Sequence, residues 1–116
     1  MKDNLKTMDS LYKNRRYSAC LFFGHLVLEK ALKILVMMVT GEYAPRTHNL
    51  HRLAEMSKLD LKLEEMDFLA MINIFNMEGR YPEEKFDFYK LCDKAYVDRF
   101  LPRIKKTHKT LCQLMK

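Results

Sequence analysis

The sequence predicts an all-α domain, and three observations predict it. Residues that favour helix (Leu, Lys, Glu, Met, Ala) are abundant, whereas 116 residues contain only three glycines and three prolines. Apolar residues recur at helical spacing in five segments. No window alternates polar and apolar residues between turn signals as a strand would. The length is about that of one domain around a single core, and no repeat or low-complexity linker divides residues 1–116.

The first segment, Asn4–Lys13, is short and amphipathic, with Leu5, Met8, Leu11 and Tyr12 on one side. The second, Arg15–Thr40, is the longest, and Gly41 is placed to stop it. Residues 42–47 (EYAPRT) form a loop broken by Pro45, after which Thr47 can cap a short helix over His48–Ser57. A fourth helix, Leu61–Gly79, ends in Gly79-Arg80-Tyr81-Pro82. The last runs Phe86–Lys116, with Pro102 kinking it or splitting it in two.

The second segment is apolar almost all the way round, the mark of a central helix buried by neighbours on several sides. Its polar residues are not scattered. At about 100° per residue, Ser18, His25 and Glu29 fall within roughly 40° of one another, and Lys33 lies about 40° further on. Burying such groups without partners is costly, so the line should meet another helix, a groove or a subunit interface. In the fourth segment Asn73, Asn76 and Arg80 are spaced i, i+3, i+7 and so share one helical face. Were the two faces to meet, they would enclose a small polar pocket holding a guanidinium, a carboxylate, an imidazole and amides.

The formal charge of +6 is uneven: residues 1–59 carry +5, residues 60–89 carry −5, and residues 90–116 carry +6. An acidic segment followed by a basic helix can neutralise itself by packing together, or leave a basic surface for an anionic partner such as nucleic acid. Cys20, Cys92 and Cys112 are odd in number, form no CxxC pair and lie in apolar helical patterns, as reduced, packed thiols of a cytosolic protein do. MKDNLKTMDS is charged and has no apolar core, so no secretory signal is expected. Residues 19–39 are long enough to span a bilayer, but His25, Glu29, Lys30 and Lys33 at that depth argue for a buried soluble helix. The nine methionines, several in the second and fourth helices, read as core filler.

The run RRYSACLFFGHLVLEKALKILVMMVTGEYAPRTHNLHRLAE resembles the HEPN domain family. The likeness rests on Arg16, Tyr17 and Ala19, on Glu29-Lys30-Ala31-Leu32-Lys33, on Thr47-His48-Asn49-Leu50, and on Arg80-Tyr81-Pro82, in that order over roughly residues 5–90. The resemblance implies an up-and-down bundle of four main helices plus a short extra one, paired as a homodimer through its long helices. It further implies a role beside a minimal nucleotidyltransferase, many such pairs being toxin–antitoxin systems. Other HEPN proteins are metal-independent ribonucleases marked by an arginine followed four to six residues later by a histidine.

Here the sequence departs from that mark. Arg80 is followed by Tyr81, Pro82, Glu83, Glu84, Lys85, Phe86 and Asp87, and the next histidine is His108. A metal-free ribonuclease needs a group that titrates near neutrality to move protons; a guanidinium can stabilise charge but cannot shuttle a proton. His48 and His51 make an HxxH with no matched Cys or carboxylate set, so no metal site is expected, and His48 reads as a structural residue of its turn. No Walker loop, GxGxxG, GxSxG or HExxH occurs, and the Gly-Ser turn and paired aspartates of a nucleotidyltransferase are missing.

The reading is a non-catalytic, cytoplasmic HEPN subunit that needs no cofactor and binds a nucleotidyltransferase partner or a nucleotide. Arg80, Tyr81, His25, Glu29, Lys33, Asn73 and Asn76 are its groove residues; Arg80 would take a phosphate or carboxylate bidentately and Tyr81 would stack on a base. A divergent ribonuclease toxin is the alternative, using Arg80 with His25 or Glu29 while the basic C-terminal helix holds RNA. A plain helical interaction module, whose polar residues only fix register, is the third.

Overall fold

The computed structural model describes residues 2–115, with side chains from Asn4 onward, and is all-α: no strand occurs among the described residues. Six helices follow one another: α1 (Lys2–Lys13), α2 (Tyr17–Thr40), α3 (Leu50–Met56), α4 (Leu63–Ile72), α5 (Pro82–Leu91) and α6 (Lys94–Leu114), with one 3-10 turn at Asn73–Phe75. No helix among the described residues is long and apolar enough to cross a membrane.

α2 is the hub, packing against α1, α6 and α3. Its inner face buries Leu21, Leu28, Leu32 and Leu35 against Met8 of α1, Val97, Ile104 and Leu111 of α6, and Phe68, Leu69 and Ile72 of α4. Gly24 sets the approach of α6: a Cβ built there would stand 2.9 Å from Cδ1 of Ile104. Phe75 is fully buried and meets the rings of Phe88, Tyr96 and Phe100 at 5.7, 6.2 and 5.0 Å. One aromatic residue thereby pins the 3-10 turn beneath α5 and α6.

Several boundaries move from their sequence positions, each for a local reason. α2 begins at Tyr17 rather than Arg15 because Arg15 turns the chain at φ 60°, a conformation no helix can continue. Its end is where Gly41 predicts, at φ 72° with the glycine N–H on the Met37 carbonyl. Asn49, not Thr47, caps α3: its side chain accepts from the Arg52 N–H at 3.2 Å, while the Thr47 hydroxyl accepts from Asn49 N–H. The fourth helix is shorter than predicted. Asn73 turns its amide to the α3 loop and Asn76 accepts from the Glu78 N–H at 3.1 Å, so the chain leaves the helix and Asn73, Asn76 and Arg80 share no helical face. The long C-terminal helix is two helices. The break falls at Cys92–Asp93, where Asp93 accepts from Tyr96 N–H at 2.8 Å and starts α6; Pro102 lies inside an unbroken α6.

Two expectations about burial also change. Met8 is core, but Met37, Met38 and Met71 are exposed, so the methionines are not uniformly filler. α2 is not covered on all sides: Ala19, Phe22, Leu26, Lys30, Lys33 and Met37, spaced 3, 4, 4, 3 and 4, line an outer stripe whose residues are half-buried or exposed among the described residues. Cys20, Cys92 and Cys112 are free thiols; burial pushes Cys20 up to about 11 and Cys92 up to about 12, so both stay protonated.

Candidate functional site

Two polar clusters deserve separate description. The first is built on the polar line of α2. Glu29 is 6% exposed and its carboxylate is shared among three cationic or imidazole groups. Oε1 accepts from Nδ1 of His48 at 2.8 Å and lies 3.8 Å from Nδ1 of His25, while Oε2 accepts from Lys33 Nζ at 3.1 Å. His25, 1% exposed, donates through Nε2 to the backbone carbonyl of His48 at 2.9 Å. A carbonyl can only accept, so the bond places the proton of a neutral His25 on Nε2. Burial lowers the His25 pKa, with the Glu29 carboxylate opposing that shift.

Asn73 closes the cluster from the other side. Its Oδ1 accepts from the Leu50 N–H at 2.8 Å, and its Nδ2 donates to Asn49 Oδ1 at 2.9 Å. The Thr47–Leu50 turn is therefore held from both sides, by α2 through His25 and Glu29 and by the end of α4 through Asn73. Its polar side chains are satisfied: no buried side-chain nitrogen or oxygen lacks a partner among the described residues. The meeting of two polar helix faces anticipated from the sequence does not occur: Asn73 alone reaches the turn that His25 and Glu29 hold, and Arg80 pairs with Glu84 instead.

The second cluster is the segment between the 3-10 turn and α5. Gly79 stands at φ 76°, Arg80 donates Nη1 to Glu84 Oε2 at 3.2 Å, and Tyr81 is 71% exposed at the N-terminus of α5. Glu83 and Glu84 in the first turn offset the positive end of that helix. A side-chain link to the first cluster is Glu78, whose Oε2 is 3.5 Å from Nε2 of the half-exposed His48.

Between this segment and α2 lies a cleft of about 370 Å³. Ser18, Ala19 and Phe22 of α2 form one wall, Met77 and Phe88 the other, and Lys85 stands on the rim with Glu78. Ser18 was legible in the sequence as the start of the polar line; Met77, Lys85 and Phe88 were not, because the helix predicted over Leu61–Gly79 stops at Ile72 and a separate α5 starts at Pro82. Among the described residues no group of three or more His, Cys, Asp or Glu side chains could hold a metal.

A family model, that of the HEPN domain, matches residues 2–113 of this chain, nearly its whole length. No curated protein and no solved structure matches it.

Proposed function

This chain belongs to the HEPN domain family, and from that premise we propose that it is a non-catalytic subunit that pairs with a second copy along the outer stripe of α2 and binds a nucleotide, or a nucleotidyltransferase partner, at the adjoining cleft. The observation that carries this reading is the uncovered stripe itself. Phe22, Leu26 and Met37 are partly or largely exposed on the most apolar helix of the molecule, and none belongs to the core. Apolar residues aligned along several turns of one helix face are the pattern of a buried seam.

The cleft continues that stripe at Phe22 and suits a flat, apolar ring with an anionic tail. Phe22, Met77 and Phe88 supply the apolar walls, and Lys85 supplies a cation at the mouth. Among the described residues Arg80 pairs with Glu84 in an exposed ion pair, so its guanidinium is available to exchange Glu84 for a phosphate or carboxylate. Tyr81, largely exposed beside it, offers a stacking face.

A metal-independent ribonuclease is the second reading, and one observation favours it. His25 and Glu29 are buried and committed to each other and to the loop, which withdraws them as substitutes for the missing histidine. His48 is different: Glu29 fixes its Nδ1, while the ring is about half exposed and presents Nε2 towards Glu78, two residues before Arg80. That is the geometry of an oriented base.

The test is a pair of measurements on purified protein. A thermal shift with adenine or guanine nucleotides is expected, reduced by Arg80→Ala and by Lys85→Glu. RNA incubated with the protein and a chelator is expected to stay intact. Cleavage lost on both Arg80→Ala and His48→Ala would replace the first reading by the second.

A further inference from the structure

The charge pattern of the sequence leaves a question that the fold answers. The acidic stretch 60–89 and the basic helix α6 do not neutralise each other: among the described residues no ion pair joins them. The acidic residues pair locally, Glu84 with Arg80 and Asp87 with Lys90. α6 carries six cations and one carboxylate, and among the described residues two of its cations find a carboxylate, Lys94 on Asp98 and Lys105 on Asp9 of α1. Arg99, Arg103, Lys106 and Lys109 are exposed and pair with no carboxylate among the described residues. Their i, i+4, i+7, i+10 spacing puts them on the side away from the core residues Ile104 and Leu111, along roughly 15 Å of helix.

This stripe borders a second cleft, of about 410 Å³, between α6 and the start of α4. Arg103 and Lys106 face Lys62 across it, with Glu64 and Glu65 alongside and Thr110 at one end. Arg103 is positioned rather than free: its guanidinium stacks 4.2 Å from the Phe68 ring centre and donates Nη2 to the Glu64 carbonyl at 3.2 Å, leaving its remaining donors to face outward.

We infer that the outer face of α6, with Lys62, is a docking surface for an acidic segment of another protein. Two features favour a polypeptide over a nucleic acid strand. Glu64 and Glu65 within the cleft would repel a continuous phosphate backbone, whereas a peptide can place a cation there and its carboxylates on Arg103, Lys106 and Lys109. The surface also has no open aromatic platform for bases, because the nearby rings Tyr96 and Phe100 are engaged with Arg99 and with Phe75. The exposed aromatics Tyr81, Phe86 and Tyr89 lie instead on or at the start of α5.

The probe is a fluorescent, glutamate-rich helical peptide of about 16 residues with one lysine per two turns, long enough to cover the stripe. Anisotropy is expected to show binding that weakens steadily with added salt and falls at least about tenfold in Arg103→Glu/Lys106→Glu, a loss of roughly 1.4 kcal/mol or more. Because Arg103 also packs on Phe68, Lys106→Glu/Lys109→Glu is the companion variant, with circular dichroism to show that it folds; it should lose affinity likewise. Lys90→Glu on α5 should bind as wild type. Absence of binding, equal affinity in all variants, or tighter binding of a single-stranded oligonucleotide of similar length would each overturn the inference. None of these variants touches the α2 stripe or its cleft, so failure here leaves the dimer reading standing.

Discussion

The Glu29 cluster and the Arg80 segment are made of the same kinds of residue and are used in opposite ways. Around Glu29 the carboxylate and the His25 ring are buried while the His48 ring is about half exposed, and the partners come from three chain segments: α2, the Thr47–Leu50 turn and Asn73. Around Arg80 the guanidinium pairs with Glu84 in solvent, and Tyr81 is largely exposed. Buried charge must be satisfied where it stands, so it reports on how the chain is held together. Exposed charge held by one weak pair costs little to rearrange and is the better candidate for meeting something else. His25, Glu29, Lys33 and Asn73 therefore belong to the frame, and Arg80, Tyr81 and Lys85 to the exposed surface proposed above to bind a partner or nucleotide.

Substitutions should separate the two regions in a definite order. Glu29→Ala removes the buried carboxylate that joins His25, His48 and Lys33 and is expected to cost about 3 kcal/mol in chemical denaturation, the lower end of the scale for breaking a buried ion pair because His48 and Lys33 keep access to water. A loss no larger than that of Arg80→Ala would erase the distinction. Asn73→Ala comes next, at roughly 1–2 kcal/mol, because it strips the Leu50 N–H of its acceptor and Asn49 Oδ1 of one of its two donors. Native-state hydrogen exchange at Leu50 reports the same event directly and should accelerate.

Acid should act on the frame and spare the surface. His25 is held neutral, its folded pKa lowered below the ordinary 6.5 chiefly by burial, so the unfolded chain binds the extra proton first. Stability is thus expected to rise with pH and to fall as the medium is acidified below about 6.5, until the folded-state value is reached. His108, lowered by burial at the α1–α6 side, adds to the same slope. His25→Phe should flatten part of the dependence in urea melts across pH; an unchanged slope would mean that His25 is not the group being protonated. The smallest effect is Arg80→Ala, within about 0.5 kcal/mol because its pair with Glu84 is exposed and screened.

Much of the frame was legible before any coordinates. The helical period carried α2 and its polar line, and Gly41 its end, because these depend on spacing and on one residue's tolerance of positive φ. His25, Glu29 and His48 could be marked, yet not joined: Glu29 and His48 are nineteen positions apart, and only the fold of the intervening loop closes the 2.8 Å bond. The Arg15 turn was hidden because nothing in an arginine announces φ 60°. The α5–α6 break was hidden because Asp93 is a weaker visible signal than Pro102, although an N-cap interrupts a helix where a tolerated proline does not. The open stripe of α2 was illegible for a different reason. A helix apolar on every side gives the same pattern whether its last face is covered by its own chain or by another copy.

That face is where the account stands or falls. Light scattering at tens of micromolar should return twice the mass of one chain for the wild type. Leu26→Glu, which places a carboxylate mid-stripe without touching the core, should return the mass of one chain with its helical content unchanged. A wild-type protein that is monomeric at that concentration, or a Leu26→Glu variant that remains dimeric, would contradict it.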